Sequence, residues 1–191
     1  MQTPHTYILI PYTKDRRARL EVCIKAIQEN TEGMPYSLVL YENDYIGFPN
    51  AILNMIEGIN GYVVMYASDL VAQKDWLKIL WQEYEKIGRK GAIEPENILH
   101  KGTLCQHPLL HTDLVRKFFH REYFHSFCDN EMHERFVAEG LYTYCPDAKI
   151  EHHHVVNRKA EMDEGYKVVL DPKRKDIDLE TYKKRKANGW K

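Results

Sequence analysis

Residues 61–69 read Gly-Tyr-Val-Val-Met-Tyr-Ala-Ser-Asp, a continuous apolar and aromatic run that ends in a single carboxylate. Positions 62–66 show no polar alternation, which predicts a strand buried on both faces of a mostly parallel sheet. Asp69 then follows the carboxyl end of that strand. Ligands of open α/β sheets bind in the crevice outside those ends, so Asp69 is a candidate to bind a metal ion or a polar ligand. The alternative is a plain cap, since Asp also favours the start of a helix such as the one that contains Trp76.

The chain alternates strand and helix three times in its first half. Strands are predicted at 7–10, 37–41 and 62–66, and helices at 17–29, 50–58 and 76–87. This order favours an α/β sandwich in which the loops after the strands converge on one edge of the sheet. Those loops contain no Gly-x-Gly-x-x-Gly, Walker or Gly-x-Ser-x-Gly motif, which argues against Rossmann oxidoreductases, P-loop enzymes and α/β-hydrolases.

The second half of the chain carries shorter segments. Strands are predicted at 91–95, 104–111 and 141–144, helices at 112–119 and 129–139, and an extended segment at 149–156. His152 and His154 share one face of that segment, an arrangement that suits either a metal site or a solvated strand end. Cys105, His107 and His111 match no standard zinc spacing, and the four cysteines include no Cys-x-x-Cys pair, so no disulfide framework or thiolate zinc site is predicted.

Length and hydropathy predict one cytoplasmic domain. The 191 residues are enough for one compact core, and 43% of them are hydrophobic. The sequence lacks an apolar segment of the roughly 18 residues that a membrane span needs, and its start lacks the apolar core of a signal peptide.

Charge divides the chain into a body and a tail. The formal net charge is −1, but residues 155–191 hold 11 Lys and Arg against 7 Asp and Glu. An acidic body, 1–154, therefore precedes a basic tail, 155–191, in which only 177–187 predicts a clear helix. Three roles are consistent with such a tail: a lid over the ligand site near Asp69, an amphipathic helix packed on the body, or a contact with a phosphate-rich partner such as nucleic acid.

Five blocks of sequence occur in a specific order and spacing. They are Ile-Leu-Ile-Pro-Tyr-Thr at 8–13, Val-Leu-Tyr-Glu-Asn-Asp at 39–44, the segment 47–69, the segment 129–140 that opens Asp-Asn-Glu, and Ile-Glu-His at 150–152. Together they resemble the glycosyltransferases of the GT-A fold, most closely the inverting family 2. The resemblance covers about residues 6–155. It implies a three-layer, Rossmann-like α/β sandwich with a mostly parallel central sheet and a catalytic domain at 1–154.

The resemblance implies a nucleotide-sugar donor bound by the loops after the first three strands. The corresponding positions are Pro11, Tyr12, Thr13, Glu42, Asp44, Asn54, Ser68 and Asp69. Glu42, with Asp44 as the other candidate, would meet the nucleobase. Asp69 is the last acid of an Asp-x-Asp motif whose first position is Ala67, and it would hold Mn²⁺ or Mg²⁺. The family also supplies a histidine ligand, which corresponds to His152 with His154 as its substitute.

The resemblance places a general base at Asp129, with Glu131 as the second candidate. An inverting transfer needs a carboxylate that takes the proton of the acceptor hydroxyl. Both acids also suit the start of a helix for structural reasons, and Arg135 is expected to pair with Glu131.

The predicted function is that of a hexosyltransferase-type enzyme, which moves a sugar from a nucleotide-sugar donor to an acceptor hydroxyl. The acceptor would be a glycan, a small molecule or a modified base in DNA. A modified DNA base is included because the chain resembles small stand-alone transferases of the kind that viruses carry. That resemblance would place the protein in the host cytoplasm. The alternatives are a GT-A nucleotidyltransferase and a non-catalytic module that binds nucleotide sugars or nucleic acid. The sequence leaves the oligomeric state open.

Overall fold

The computed structural model describes residues 3–190, which form one mixed sheet between two layers of helices. The strands are β1 (Thr6–Tyr12), β2 (Tyr36–Glu42), β3 (Tyr62–Met65), β4 (Leu70–Ala72), β5 (Ala92–Glu96), β6 (Leu109–His111) and β7 (Tyr142–His152). The helices are α1 (Arg17–Asn30), α2 (Phe48–Met55), α3 (Trp76–Lys86), α4 (Thr112–Phe118), α5 (Cys128–Ala138), α6 (Glu164–Val169) and α7 (Pro172–Ala187). The strand order is β2-β1-β3-β6-β5-β7-β4. None of the helices in the described residues combines the length and hydropathy that a membrane span requires.

Only part of the sheet is parallel. β1 pairs in parallel with β2 and with β3, so the carboxyl ends of these three strands meet at one edge. β6 runs antiparallel to both β3 and β5, and β4 runs antiparallel to β7. Residues 97–108 join β5 to its neighbour β6 without a crossover helix, which is the connection that antiparallel neighbours use. The sheet is therefore mixed, where the sequence predicted a mostly parallel one.

The apolar core lies on both faces of the sheet. Along β1, Ile8 and Ile10 pack toward α1 and α3, while Leu9 packs toward α2, α4 and α5. This alternation follows from the two-residue period of a strand, and it shows why a strand covered on both faces reads as a continuous apolar run. The predicted three-layer α/β architecture is confirmed.

Helix α3 shows how the sequence positions one layer. Trp76, Leu80 and Tyr84 recur every four residues and are fully buried, which is the stripe expected of a helix packed on a sheet. The indole of Trp76 donates to Thr31 Oγ1 at 2.9 Å, so the polar atom of this buried ring has a partner. Asp69 does not cap this helix, because β4 intervenes and Asp75 precedes the first helical residue.

β7 and the tail differ most from the predicted elements. β7 is one strand in which Pro95 pairs with Cys145 and Glu96 with Lys149, so residues 146–148 bulge out of the ladder. The bulge accommodates Pro146, which has no N–H to donate. In the tail, α6 was not predicted, and α7 begins at Pro172 instead of 177.

Helix α7 packs against α5 and the loop before it. Asp178, which is 1% exposed, accepts backbone hydrogen bonds from Phe124, His125 and Ser126 at 2.8, 2.9 and 2.8 Å. One side chain of the tail thereby fixes three consecutive amides of residues 119–127, which lead into α5.

Candidate active site

A cavity of about 420 Å³ lies at the carboxyl ends of β1, β2 and β3. Eight of the predicted site residues line it, namely Pro11, Tyr12, Thr13, Ser68, Asp69, Asp129, His152 and His154. The loop before β6, the start of α5, the end of β7 and helix α6 complete the wall. The site is therefore built from segments spread over most of the chain.

The turn after β2 brings an amide, not a carboxylate, to the cavity. Asn43 lines the wall, and its Nδ2 donates to the carbonyl oxygen of Tyr12 at 3.1 Å. Glu42 instead accepts a hydrogen bond from Arg17 Nη2 at 2.8 Å, and this hydrogen bond lowers the pKa of Glu42. Asp44 is exposed. Asn43, the first residue after β2, therefore lines the cavity where Glu42 and Asp44 do not.

Asn54 also lies outside the cavity. Its Nδ2 donates to the Tyr41 hydroxyl at 3.2 Å, and its Oδ1 accepts from Arg121 Nη1 at 2.8 Å. The side chain ties α2 to β2 and to the segment after α4. We assign it a structural role.

Glu131 is part of a buried ion network and not of the cavity wall. It has no solvent exposure, and its oxygens accept from the Tyr123 hydroxyl at 2.7 Å, from Arg135 Nη1 at 2.9 Å and from Arg185 Nε at 2.8 Å. Burial raises the pKa of Glu131, but the bonds from Arg185 and Tyr123 outweigh it and lower the pKa overall. The carboxylate is held by these partners, and Glu131 does not line the cavity.

Asp69 lies between β3 and β4 and is buried, at 6% exposure. Its Oδ2 accepts from the Tyr166 hydroxyl at 2.8 Å and lies 3.7 Å from Arg16 Nη1. Its Oδ1 lies 3.5 Å from Nε2 of His152. Burial alone raises the pKa of Asp69. Together His152, Arg16 and Tyr166 outweigh burial, with the hydrogen bond to His152 as the largest of their effects, and hold the pKa of this carboxyl well below its usual range.

Arg16 is a partly buried cation held by helix α6, with 14% of its side chain exposed. Its guanidinium lies over the ring of Tyr166, 4.0 Å from the centroid, and its Nη2 donates to Asp163 Oδ1 at 3.1 Å. Gly165 packs so closely that a Cβ at this position would lie 2.7 Å from Arg16 Nε. α6 therefore closes one side of the cavity and fixes a permanent positive charge beside Asp69.

Asp69 and His152 are the pair that suits a divalent metal ion. Their facing atoms are an oxygen and a nitrogen, which are ligands that Mn²⁺ accepts. Among residues 3–190, no three His, Cys, Asp or Glu side chains come close enough to hold one ion. Two protein ligands leave the other positions to water and phosphate oxygens, the usual arrangement for Mg²⁺ at nucleotide phosphates. His154 fits less well, because its Nδ1 accepts from the Val156 amide and its ring packs on Tyr166.

Asp129 reaches the cavity from the first turn of α5. Its Oδ2 accepts from Gln106 Nε2 at 3.1 Å, and its Oδ1 accepts from the Asn130 amide at 3.0 Å. Burial raises the pKa of Asp129 and outweighs both hydrogen bonds. Phe127, with a φ of 64°, occupies the cap position, so Asp129 lies inside the helix.

The buried side chain of Glu94 supports the loop that holds Asp129. Its carboxyl group accepts from the Gln106 amide at 3.1 Å and from the His107 amide at 3.1 and 3.0 Å. Burial raises the pKa of Glu94 to about 8, so the group is mostly neutral at pH 7. Asn97 Nδ2 donates to Gln106 Oε1 at 2.9 Å, which orients the Gln106 amide toward Asp129.

His107 lines the same cavity and is 5% exposed. Its Nδ1 lies 3.2 Å from the carbonyl oxygen of Met65, and its ring meets that of His152 edge to face at 5.4 Å. Burial lowers the pKa of His107 to about 3, and the neighbouring His152 acts in the same direction. His107 does not combine with Cys105 and His111 into a metal site within the described residues.

Sequence reasoning assigned no site role to several lining residues, among them Arg16, Asn43, Gln106, His107 and Tyr166. Arg16 had a signal, because it lies in a basic turn directly after β1. Tyr166 lies 97 residues after Asp69, in a stretch whose sequence shows only a high density of charge.

Comparisons with solved structures identify the fold. TarS from S. aureus superposes with a TM-score of 0.63 at 10% identity, over 95% of this chain and 43% of that one. The mannosyltransferase PcManGT from Pyrobaculum calidifontis, in complex with GDP-Man and Mn²⁺, superposes with a TM-score of 0.55 at 12% identity, over 95% and 75%. The predicted GT-A glycosyltransferase fold is confirmed, and the chain spans less than half the length of TarS. No protein-family model and no curated protein sequence matches the chain.

Proposed function

We propose that this GT-A protein is a glycosyltransferase, which moves a sugar from a nucleotide-sugar donor to an acceptor hydroxyl with inversion at the anomeric carbon. One observation carries the proposal: a single cavity contains two carboxylates, Asp69 and Asp129, whose surroundings move their pKa values in opposite directions. Two carboxylates whose pKa values are driven apart are suited to two different roles. Asp69 stays an anion, and Asp129 becomes a stronger base.

At the Asp69 end, the chain supplies charges for the donor diphosphate. Asp69 and His152 would hold Mn²⁺ or Mg²⁺, which when bound neutralises negative charge on the departing nucleoside diphosphate. Arg16 contributes a permanent positive charge at the same place, because its Nη1 lies 3.7 Å from Asp69 Oδ2. The nucleoside would then lie along Tyr12 and Asn43, where the sheet edge offers an aromatic ring and a neutral amide.

At the other end, Asp129 takes the proton of the acceptor hydroxyl as its oxygen attacks the anomeric carbon. The bond between that carbon and the diphosphate oxygen breaks as the new glycosidic bond forms. Gln106 holds one carboxylate oxygen of Asp129 in place, and each oxygen keeps a lone pair for the incoming proton.

The experiment that tests this function measures nucleoside diphosphate released from a panel of uridine and guanosine diphosphate sugars with Mn²⁺. Glycan, small-molecule and modified-DNA acceptors are supplied in turn. We expect acceptor-dependent release from one donor. A nucleotidyltransferase would instead release pyrophosphate from a nucleoside triphosphate, and a binding module would give a thermal shift without turnover. Either result would contradict the proposal.

A further inference from the structure

One ring nitrogen of His107 has a hydrogen-bond partner in the protein, and the other has none among the described residues. Nδ1 lies 3.2 Å from the Met65 carbonyl oxygen, and because a carbonyl only accepts, Nδ1 must carry a proton. In the neutral, buried ring Nε2 is then a hydrogen-bond acceptor. No group within residues 3–190 forms a hydrogen bond with Nε2. A buried acceptor without a partner is unfavourable, and native sites that keep one commonly present it to a ligand or a water.

The position of this ring is fixed from two sides. The His107 amide donates to both carboxyl oxygens of Glu94, and the ring packs edge to face on His152. His107 also follows Gln106, whose side chain holds Asp129. His107 therefore lies in the part of the cavity wall between the diphosphate end, marked by His152, and the acceptor end, marked by Asp129.

We propose that His107 Nε2 accepts a hydrogen bond from a hydroxyl group of the transferred sugar, which makes His107 a specificity-determining residue for the donor. This inference rests on the proposed function. In that reaction the sugar connects the diphosphate to the acceptor oxygen, and His107 lines the cavity between these two ends. Diphosphate oxygens carry no proton at neutral pH and cannot donate to Nε2, whereas a sugar hydroxyl can.

Two substitutions separate the acceptor atom from the rest of the ring. His107→Asn keeps an amide nitrogen near the position of Nδ1, able to donate to Met65, and ends before Nε2. His107→Gln places an amide oxygen near the position of Nε2 and restores an acceptor. Thermal unfolding and affinity for the free nucleoside diphosphate with Mn²⁺ report whether each variant is folded with an intact diphosphate end.

The test is calorimetric binding of GDP-mannose, UDP-glucose and UDP-N-acetylglucosamine, each compared with its nucleoside diphosphate. We expect His107→Asn to weaken binding of the preferred nucleotide sugar about tenfold, as expected for one hydrogen bond, without changing the affinity of the diphosphate. His107→Gln should recover most of the loss. The test is repeated with monodeoxy analogues of that sugar. One analogue should bind wild type about tenfold more weakly than the parent nucleotide sugar does. The same analogue and the parent should bind His107→Asn with equal affinity.

Equal loss of nucleotide sugar and diphosphate in His107→Asn would overturn the inference, because His107 would then act at the diphosphate end. So would a deoxy series in which every analogue behaves alike in wild type. Failure of wild type to bind any nucleotide sugar would overturn the proposed function as well. Wild type that binds a nucleotide sugar without dependence on His107 would overturn the inference alone.

Discussion

Asp69 and Asp129 show how two identical side chains acquire different properties at one cavity. Asp69 faces His152 and Arg16, and these outweigh the effect of burial on its pKa. Asp129 has a neutral amide as its side-chain partner, so burial dominates. A carboxylate that stays charged suits cation binding, while one with a raised pKa takes up protons more readily.

Replacing Asp129 by Asn should remove the base without removing the donor site. We expect Asp129→Asn to lower turnover by about 10² or more, the usual contribution of a general base, with donor affinity nearly unchanged. Initial rates and calorimetric donor binding check this. Asp44→Asn, at an exposed position outside the cavity, is the matched control. Transfer at close to the wild-type rate by Asp129→Asn would leave this carboxylate with a structural role only.

Replacing Asp69 by Asn should remove the metal-dependent part of diphosphate binding. We expect the affinity gained on adding Mn²⁺ to disappear in Asp69→Asn, and chelation with EDTA to reduce wild type to the same level. Residual affinity should remain, since Arg16 still offers its charge. The measurement is a titration of nucleoside diphosphate with and without Mn²⁺. An unchanged Mn²⁺ effect in the variant would show that the ion binds elsewhere.

Glu94 gives a prediction for stability against pH. Its pKa is about 8 in the folded protein, against 4.5 as the ordinary value. Between these values the folded protein holds a proton that the unfolded chain has released, so the free energy of unfolding decreases as pH rises. We expect Glu94→Gln, which cannot ionise, to flatten that decrease. Urea denaturation at several pH values measures it, with the exposed Glu32→Gln as control. An identical slope in Glu94→Gln and wild type would contradict the assignment.

At the scale of elements, α7 stabilises the loop that leads into α5. The carboxylate of Asp178 accepts three amide hydrogen bonds, and an amide side chain has only one acceptor oxygen. We expect Asp178→Asn to cost about 1–3 kcal/mol of stability, because buried amides lose partners. Hydrogen exchange should speed up at residues 124–126, which tests the location as well as the size of the effect. Asp176→Asn, exposed on the same helix, should change neither.

The elements also show what the sequence could reveal and what it could not. The first three strand and helix pairs follow from apolar periodicity, which is local, and Asp69 could be placed at a strand end for the same reason. The antiparallel direction of β6 depends on which strands become neighbours, and no local pattern carries that information. The same holds for the cavity: the Arg16, Tyr166 and Asp69 cluster is created by segments that meet only after folding.

At the scale of the whole molecule, the tail is joined to the domain by buried contacts. Arg185, which is 7% exposed, binds Glu131 and Glu122, while Lys186 pairs with the exposed face of α5 through Glu134. Several basic residues of α7 are therefore already paired within the protein. A packed helix is the use of the tail that these contacts favour over a nucleic-acid contact.

Removing residues 155–191 should therefore impair folding and not catalysis alone. Loss of Arg185 leaves the buried charge of Glu131 short of a partner, which typically costs about 3–5 kcal/mol. That is a large part of the roughly 5–15 kcal/mol of a typical domain. Circular dichroism melting checks it, with the full chain carrying Lys173→Gln and Lys175→Gln, both exposed, as control. A truncated protein that melts like wild type would restore the lid interpretation.

The pairing of Arg185 with Glu131 also bears on synthesis at the ribosome. Arg185 comes 54 residues after Glu131, so α5 emerges from the exit tunnel long before its buried carboxylate can meet this partner. Domains generally fold as units during translation, and a unit that needs contacts from α7 cannot complete its packing before α7 is made. In the nascent chain, α5 and the preceding loop therefore lack their contacts with Arg185 and Asp178 until α7 has emerged. A polypeptide released before α7 would leave the buried Glu131 carboxylate without Arg185.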